Sequence, residues 1–176
     1  MKFLLHLVMF FLLLNSFATA QSLIRDSCKK AAAKNPKIKY DICVKTLEAN
    51  PQSKTAKNLG ALVMASTNTA VSKMTSLKGT VDKILKGKKF VKETEMPLRD
   101  CLQLYTDGIG SLNDALASVK SRNYKTTTTA LSAAMEAPTT CETGFTERKK
   151  KSPVVNENNA LFQMIQLPLA FSTMLK

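Results

Sequence analysis

The feature that most constrains this fold is a pair of cysteines, Cys101 and Cys141, placed symmetrically about a polar turn. Apolar residues on both sides of the turn recur at helical spacing, and the midpoint of the two cysteines, residue 121, lies inside the turn at 120–123. If the arms fold back as antiparallel helices, equal distance from the turn brings both sulfurs to the same height. The spacing therefore predicts a disulfide across a helical hairpin.

The other two cysteines follow the same rule. Cys28 and Cys43 are centred on Asn35-Pro36, a dipeptide typical of turns. Four cysteines allow three pairings, and the midpoint rule selects Cys28 with Cys43 and Cys101 with Cys141. The chain-entropy model assigns about 3 kcal/mol to the first closed loop and about 4 kcal/mol to the second. A cysteine metal site is the alternative, but the sequence contains no CxxC pair, so we predict no metal and no cofactor.

The N-terminus has the pattern of a secretory signal peptide. Lys2 precedes an apolar run at 3–14, and small residues end in Ala18-Thr19-Ala20. We expect cleavage after Ala20, which leaves 156 residues (176 minus 20) starting at Gln21. A transmembrane helix is the alternative, but the run is shorter than the roughly 20 apolar residues that a bilayer requires. The pattern predicts a signal peptide at 1–20 and one secreted domain at 21–176, with no membrane anchor.

Apolar residues recur at steps of three and four along the mature chain, and no strand alternation of any length occurs. This pattern predicts an all-α fold. The predicted helices span 22–34, 40–47, 53–87, 97–119, 124–145 and 156–175. The first two form an N-terminal helical hairpin at 21–50, and the others form an up-down-up-down four-helix bundle at 53–176.

Two residues suggest where the bundle helices begin. Ser53 is of the type that caps a helix N-terminus, and Pro97 fits a first-turn position. The run 126–129 consists of β-branched threonines, which by themselves favour a strand, so the start of the helix after Tyr124 rests on its apolar spacing.

Prolines and glycines inside the predicted helices also carry expectations. Pro138 should kink or interrupt its helix, and Pro168 should bend or divide the last one, because each removes a hydrogen bond and clashes with the preceding turn. Gly108 and Gly110 each weaken their helix by about 1 kcal/mol relative to alanine. Small residues there would admit a close helix neighbour.

Histidine is absent from the predicted mature chain, because His6 lies in the signal peptide. Its absence excludes a Ser/His/Asp triad, a Cys/His pair and a mixed His/carboxylate zinc site. A carboxylate-based glycosidase is the remaining enzyme class, but the acidic residues are spread among lysines on polar helix faces. The sequence therefore predicts a protein that is not an enzyme.

The chain is strongly basic, with 26 Lys and Arg against 13 Asp and Glu and a net charge of +13. Such a charge favours polyanionic partners. Export argues against nucleic acid, and no aromatic stacking motif interleaves the lysines, so an acidic polysaccharide or an acidic extracellular protein fits better. The clusters Lys86/Lys88/Lys89 and Arg148-Lys149-Lys150-Lys151 are typical of solvated helix ends.

Together, these residues resemble the plant secreted inhibitors of invertase and of pectin methylesterase, over residues 23–175. The resemblance depends on Cys28 followed by Tyr40-Asp41-Ile42-Cys43-Val44-Lys45-Thr46-Leu47, on Leu98-x-Asp100-Cys101 with Tyr105, and on Ser132-Ala133-Ala134-Met135 leading to Thr140-Cys141-Glu142 and Phe145. It implies a four-helix bundle with an N-terminal hairpin, the same cysteine pairing, and inhibition by direct protein contact in the plant cell wall. Some members of the family are pollen allergens, and the implied state is a monomer or a homodimer.

The resemblance implies an inhibitor of an extracellular or vacuolar acid invertase (β-fructofuranosidase) first, and of pectin methylesterase second. Invertase inhibitors of this family insert a Pro-Lys-Phe motif near the turn between the second and third bundle helices. The corresponding residues here are Arg122, Asn123 and Tyr124, in which only the aromatic character is kept. Pectin methylesterase inhibitors use a broader helical surface, and the basic charge would also retain such a protein near acidic pectin. A non-inhibitory secreted helical protein, such as a lipid carrier or a defence protein, is a third alternative.

Overall fold

The structure is a computed structural model that describes residues 2–87 and 92–175. Of the side chains at 2–18, it describes only that of His6. Six α-helices follow one another in these ranges. They are α1 (Lys2–Lys34), α2 (Tyr40–Ala49), α3 (Leu59–Lys86), α4 (Lys92–Lys120), α5 (Tyr124–Glu147) and α6 (Val155–Ser172). A short 3-10 turn, Ser53–Thr55, precedes α3. No strand is present in the described ranges, and the all-α prediction is confirmed.

Helices α3 to α6 form the predicted up-down-up-down bundle. Helix α4 packs against α3 and α5, and α6 closes the bundle against the same two helices. At one end, Gly60 of α3 faces Val119 of α4, and Thr128 Oγ1 lies 3.0 Å from Ser172 Oγ. The start of α3, the α4–α5 connection and the end of α6 therefore share this end of the bundle.

The bundle core is built from the apolar seams that the sequence pattern indicates. Its large, fully buried side chains are Leu62, Met74, Leu77, Leu98, Tyr105, Leu112, Leu131, Phe145, Leu161 and Phe171. They come from all four helices and form one continuous cluster with the hairpin residues. Burial of this apolar surface is the main term that holds the helices together.

The N-terminal hairpin consists of the end of α1 and all of α2. The Cys28–Cys43 disulfide joins the two helices, with the Cα atoms 5.8 Å apart. Helix α1 ends at Lys34 as predicted but begins at Lys2, so it continues through the residues assigned to the signal peptide. Asn50 ties the hairpin to the bundle, because its Nδ2 donates to Thr69 Oγ1 at 2.7 Å.

The prediction that Ser53 caps the long helix is wrong. Ser53 is fully buried in the 3-10 turn, where its backbone N–H donates to Asn50 Oδ1 at 3.1 Å. Helix α3 starts six residues later and is capped by Asn58, whose Oδ1 accepts from Ala61 N at 2.9 Å. Asn50 and Asn58 each offer a side-chain oxygen to free backbone N–H groups, which explains why the chain turns once more before α3.

The Cys101–Cys141 disulfide joins α4 to α5, with the Cα atoms 4.9 Å apart. Both sulfurs are buried. The two pairs present in the structure are those that the midpoint rule selects, and no free cysteine is left.

Helix α4 begins earlier than predicted, at Lys92, so Pro97 lies inside the helix rather than in its first turn. Acidic residues favour the extra turn, because Glu93 and Glu95 complement the positive end of the helix dipole. Glu95 also accepts from Arg99 at 2.7 Å, and Glu93 pairs with Lys150 of the α5–α6 connection. Pro97 has no backbone N–H, so the hydrogen bond that this residue would donate within the helix is missing.

The two later prolines do not break their helices. Helix α5 continues through Pro138, and α6 continues through Pro168, so neither helix is interrupted or divided, and the kink or bend stays a prediction. Both prolines are buried, and core residues such as Ile165 and Phe171 hold α6 on each side of Pro168. Packing outweighs the local cost of a missing backbone hydrogen bond.

The basic clusters mark helix ends as predicted. Helix α3 ends at Lys86, and α5 ends at Glu147, directly before Arg148. Lys88 and Lys89 of the first cluster lie outside the described residues.

The two glycines of α4 differ in their surroundings, and this difference predicts opposite effects of alanine. A Cβ at Gly108 would lie 2.7 Å from Met74 Sδ and 3.0 Å from Ala137 Cβ, whereas a Cβ at Gly110 would meet no atom within 4 Å. We expect Gly110→Ala to raise the free energy of unfolding by about 0.5–1 kcal/mol, because it improves helix propensity. Gly108→Ala should lower it by about 1 kcal/mol or more through overpacking. Urea denaturation of both variants measures this, and equal shifts would contradict a close helix approach at Gly108.

Candidate functional site

The connection between α4 and α5 is closed by a compact hydrogen-bond motif. The backbone N–H of Arg122 donates to Val119 O at 3.0 Å, and that of Asn123 donates to Ser118 O at 2.8 Å. This is the Schellman arrangement, which normally places glycine in the left-handed conformation just after the helix. Here Arg122 occupies that position with φ 57°. Residues 121–124, which we call the tip, are therefore rigid. The tip presents a long cationic side chain from a strained backbone.

The same motif ends α5. Lys149 has φ 53°, its N–H donates to Thr146 O at 2.9 Å, and the N–H of Lys150 donates to Phe145 O at 3.0 Å. This second motif lies at the opposite end of the bundle, so it offers a matched comparison for Arg122.

A glycine scan of these two positions separates backbone strain from side-chain function. A non-glycine residue in the left-handed region costs about 1 kcal/mol, so Arg122→Gly and Lys149→Gly should each raise the free energy of unfolding by roughly that amount. Arg122→Ala removes the same side chain but keeps the strain, and should give no such gain. Thermal or urea unfolding measures these differences. A loss of stability in both glycine variants would contradict the strained conformation.

Asn123 has a structural role that the sequence did not reveal. Its Oδ1 accepts from Thr126 N at 3.2 Å and caps α5, and its carbonyl oxygen accepts from both the N–H and the hydroxyl of Thr127 at 3.0 Å. The β-branched threonines lie within the helix, where the hydroxyls of Thr127, Thr128 and Thr129 donate to carbonyls four residues earlier.

The structure places the three predicted contact residues together, with different degrees of exposure. Arg122 and Asn123 are exposed, whereas Tyr124 is half-buried in the first turn of α5. The side-chain oxygen of Asn123 is used as a cap, so Arg122, the side-chain NH2 group of Asn123 and the exposed part of Tyr124 remain available to a partner.

The tip continues into a shallow surface groove between α4 and α5, which we call the α4–α5 groove. Its walls include Ser111, Asp114 and Ser121 on one side and Lys125, Thr129 and Ala133 on the other, and Asn123 lies at its end. Most of these side chains are short and exposed. No motif in the sequence marks this groove, although small and hydroxyl-bearing residues recur every three or four positions on the polar face of both helices.

Behind this surface, a buried polar network joins α4, α5 and α6. Tyr105 Oη donates to Asn158 Oδ1 at 2.7 Å, and Asn158 Nδ2 donates to Glu142 Oε1 at 2.6 Å. Both Tyr105 Oη and Asn158 Nδ2 also lie 3.2 Å from Cys141 Sγ of the disulfide. Tyr105 belongs to the sequence motif around Cys101, but Asn158 gives no signal in the sequence, because an asparagine on a predicted helix is ordinarily exposed.

Burial raises the pKa of the Tyr105 phenol well above its ordinary value of about 10; nearby Glu142 and Glu157 add to this, and the hydrogen bond with Asn158 opposes it. Above about pH 10, the ordinary pKa of tyrosine, an unfolded chain loses the tyrosine proton while the folded chain keeps it. The folded state therefore becomes less stable as pH rises. We expect the free energy of unfolding to fall by about 1.4 kcal/mol per pH unit from this residue above pH 10.

Tyr105→Phe should remove this part of the decline, and Tyr40→Phe, at an exposed tyrosine, should keep it. Urea unfolding at about pH 8 and about pH 11 measures the difference. Equal declines in the Tyr105→Phe variant and the parent chain would contradict a proton held by burial.

No group of three or more His, Cys, Asp or Glu side chains in the described ranges is arranged to hold a metal ion. No helix in the described part of the chain is both long and apolar enough to cross a bilayer. The arrangement of the tip and the groove offers contact chemistry, namely hydrogen bonds, the cations of Arg122 and Lys125, the carboxylate of Asp114 and a partly exposed aromatic ring.

Comparison with known proteins identifies the family. The family model described as "Plant invertase/pectin methylesterase inhibitor" matches residues 22–171. The chain belongs to this family. Members of the invertase/pectin methylesterase inhibitor family inhibit enzymes and are not themselves enzymes.

Two relatives show how the chain is placed within the inhibitor family. It is 52% identical to "Pectinesterase inhibitor 12" of Arabidopsis thaliana over 175 residues, which cover 99% of this chain and 100% of that protein. It is 36% identical to a Platanus acerifolia protein named "Putative invertase inhibitor" over 179 residues, covering 99% of each chain. Both branches of the family are therefore represented among its relatives.

A solved structure supports the fold independently of sequence. A crystal structure of a mutant form of a pectin methylesterase inhibitor from Arabidopsis matches with a TM-score of 0.69 at 22% identity, and the match covers 78% of this chain and 90% of that one. The helical bundle is thus the architecture of a solved inhibitor.

Proposed function

We propose that this inhibitor acts on a pectin methylesterase by direct contact through the α4–α5 groove and the tip at 121–124. The observation that carries the choice of enzyme is the 52% identity with a pectinesterase inhibitor over essentially the whole length of both chains. The local chemistry agrees, because the tip lacks the Pro-Lys-Phe motif of invertase inhibitors.

The groove suits a protein partner because its side chains are short and its frame is rigid. Ser111, Thr129 and Ala133 leave the helix backbones accessible and have few rotamers to fix on binding. The Cys101–Cys141 disulfide and the Schellman turn at Arg122 hold the two helices in one geometry. Such preorganisation reduces the entropy cost of association.

We infer that the mature protein starts at Gln21 and works outside the cell, in the plant cell wall. The N-terminal run and the Ala18-Thr19-Ala20 site support export. Both disulfides are also consistent with an oxidising compartment.

Parallel titration of a purified plant pectin methylesterase and a purified acid invertase with the mature protein tests the proposed target. We expect the pectin methylesterase to lose activity as inhibitor is added, while the invertase keeps its activity. Inhibition of the invertase alone would overturn the choice of enzyme. Full activity of both enzymes at excess inhibitor would point to a non-inhibitory secreted protein.

Acid invertase is the second candidate target, supported by the Platanus relative and by the exposed Arg122 beside Tyr124. If invertase activity falls in the titration, Tyr124→Ala should raise the inhibitor concentration that halves this activity at least tenfold. The reason is that a tip residue would fill the substrate cleft of the enzyme. Tyr40→Ala, at a tyrosine on the hairpin, is the matched control.

A further inference from the structure

The N-terminal hairpin carries a second charged surface that the inhibitory contact does not use. Its members share exposure on the end of α1 and the turn before α2, and they are Lys29, Lys30, Lys34, Lys37 and Lys39. We call this set the hairpin lysine surface. No acidic residue occurs anywhere from Ser27 to Tyr40.

Some cations elsewhere in the protein have a counter-charge beside them. In the bundle, Lys86 pairs with Asp82, Arg99 with Glu95, and Lys150 with Glu93. Within the part of the chain that the structure describes, none of the five hairpin lysines forms an ion pair. Like charges held close together repel, so an external polyanion is favoured at this surface.

The turn that presents the lysines is fixed. Asn35 N donates to Ala31 O at 2.9 Å, and Asn35 accepts from Lys37 N at its side-chain oxygen (3.0 Å) and from Ile38 N at its carbonyl (2.9 Å). Ile38 is buried, and the Cys28–Cys43 disulfide closes the hairpin behind the turn. A partner would therefore meet lysines whose backbone is already ordered.

A groove beside the turn adds a second kind of chemistry. It has a volume of about 250 Å³, lies between α2 and α6, and is lined by Lys37 and Lys39 together with Ile42, Thr46, Gln163 and Gln166. Ile42 is 55% exposed. Lysines bind carboxylates, amide and hydroxyl groups bind sugar hydroxyls, and an exposed aliphatic side chain contacts the apolar face of a sugar ring.

We propose that the hairpin lysine surface and its groove bind a polyuronate, a polysaccharide with a carboxylate on each sugar unit. The lysine surface stands independently, and the choice of a uronate rests on the proposed function, because pectin methylesterases convert methyl esters of pectin into such carboxylates. The surface would hold the inhibitor on the polymer beside its target enzyme and leave the α4–α5 groove free.

Binding of the mature protein to polygalacturonate, followed by affinity electrophoresis, tests the proposal. The test variant replaces Lys29, Lys30, Lys34, Lys37 and Lys39 with Gln. The matched control replaces five bundle-side lysines, Lys73, Lys78, Lys83, Lys149 and Lys151, with Gln, and so lowers the net charge equally. Unfolding curves verify that both variants fold. We expect the hairpin variant to lose at least tenfold in affinity and the control to lose much less.

The outcomes separate the alternatives. Equal losses in the two variants would show that net charge alone attracts the polymer and would overturn the site. Equal binding to fully methyl-esterified pectin would overturn recognition of carboxylates, and tighter binding to duplex DNA or heparin would overturn the choice of a uronate. Inhibition of pectin methylesterase, measured on the same variants with a short esterified substrate, should be unchanged. Absence of enzyme inhibition would therefore leave the polymer-binding result intact. Absence of polymer binding would likewise leave the result on enzyme inhibition intact.

Discussion

Placing arginine at residue 133 should abolish enzyme inhibition while leaving the fold intact. Ala133 is exposed and lines the α4–α5 groove, so a long charged side chain there would prevent close approach of a partner. Because well-packed interface centres carry most of the binding energy, we expect Ala133→Arg to weaken inhibition of the target enzyme by about 100-fold or more. The measurement is the inhibitor concentration that halves pectin methylesterase activity.

Ser76→Arg is the control for this prediction. Ser76 is exposed on α3, and its substitution introduces the same arginine side chain outside the groove. It should leave inhibition within about twofold of the parent chain, a difference well below 1.4 kcal/mol. Equal losses in both variants would mean that added charge, rather than the α4–α5 groove, governs the effect, and unchanged inhibition by Ala133→Arg would move the contact to another face.

The largest effect on stability should come from the buried disulfide between α4 and α5. The double variant Cys101→Ala with Cys141→Ala opens a loop of 40 residues and should lower the free energy of unfolding by about 4 kcal/mol. Tyr105 Oη and Asn158 Nδ2 also lose their contacts with Cys141 Sγ, which adds to the loss. Urea unfolding under oxidising conditions measures the change.

The pair Cys28→Ala with Cys43→Ala is the comparison for this stability effect. Its loop spans only 15 residues, so the chain-entropy model assigns it about 3 kcal/mol. The hairpin should therefore suffer less than the bundle when its disulfide is removed. A smaller loss for the bundle pair than for the hairpin pair would contradict a central role of the α4–α5 link.

The sequence predicted features that depend on periodicity and symmetry. The seam through Val63, Ala70 and Met74 is buried as its spacing predicts. The two disulfides follow from equal distances to two turns, and the turn at 120–123 falls between the ends of α4 and α5. These features are predictable because helical spacing and chain geometry are local properties of the sequence.

Features that depend on tertiary contacts were not predictable. Ser53 and Asn58 both suit a cap, and only packing of the hairpin on α3 decides that Asn58 takes this role. Pro97 and Pro168 remain inside helices because both are buried and core packing offsets their local cost. Tertiary packing routinely overrides such local preferences.

The candidate site shows the same division. The exposed position of Arg122 follows from its place in a polar turn, but its left-handed backbone and the cap formed by Asn123 require coordinates. The α4–α5 groove consists of residues such as Ser111 and Thr129, which no catalytic or metal motif singles out. The proposed contact depends on the shape of two neighbouring helices, and a linear sequence does not display that shape.

The most direct test of this account is whether the mature protein forms an equimolar complex with a pectin methylesterase that has lost its activity. Gel filtration of the two purified proteins, with enzyme activity assayed across the elution profile, provides the measurement. We predict one co-eluting peak without activity for the parent chain, and separate peaks with full enzyme activity for the Ala133→Arg variant. Separate elution of the parent chain from an active enzyme would contradict inhibition through the α4–α5 groove.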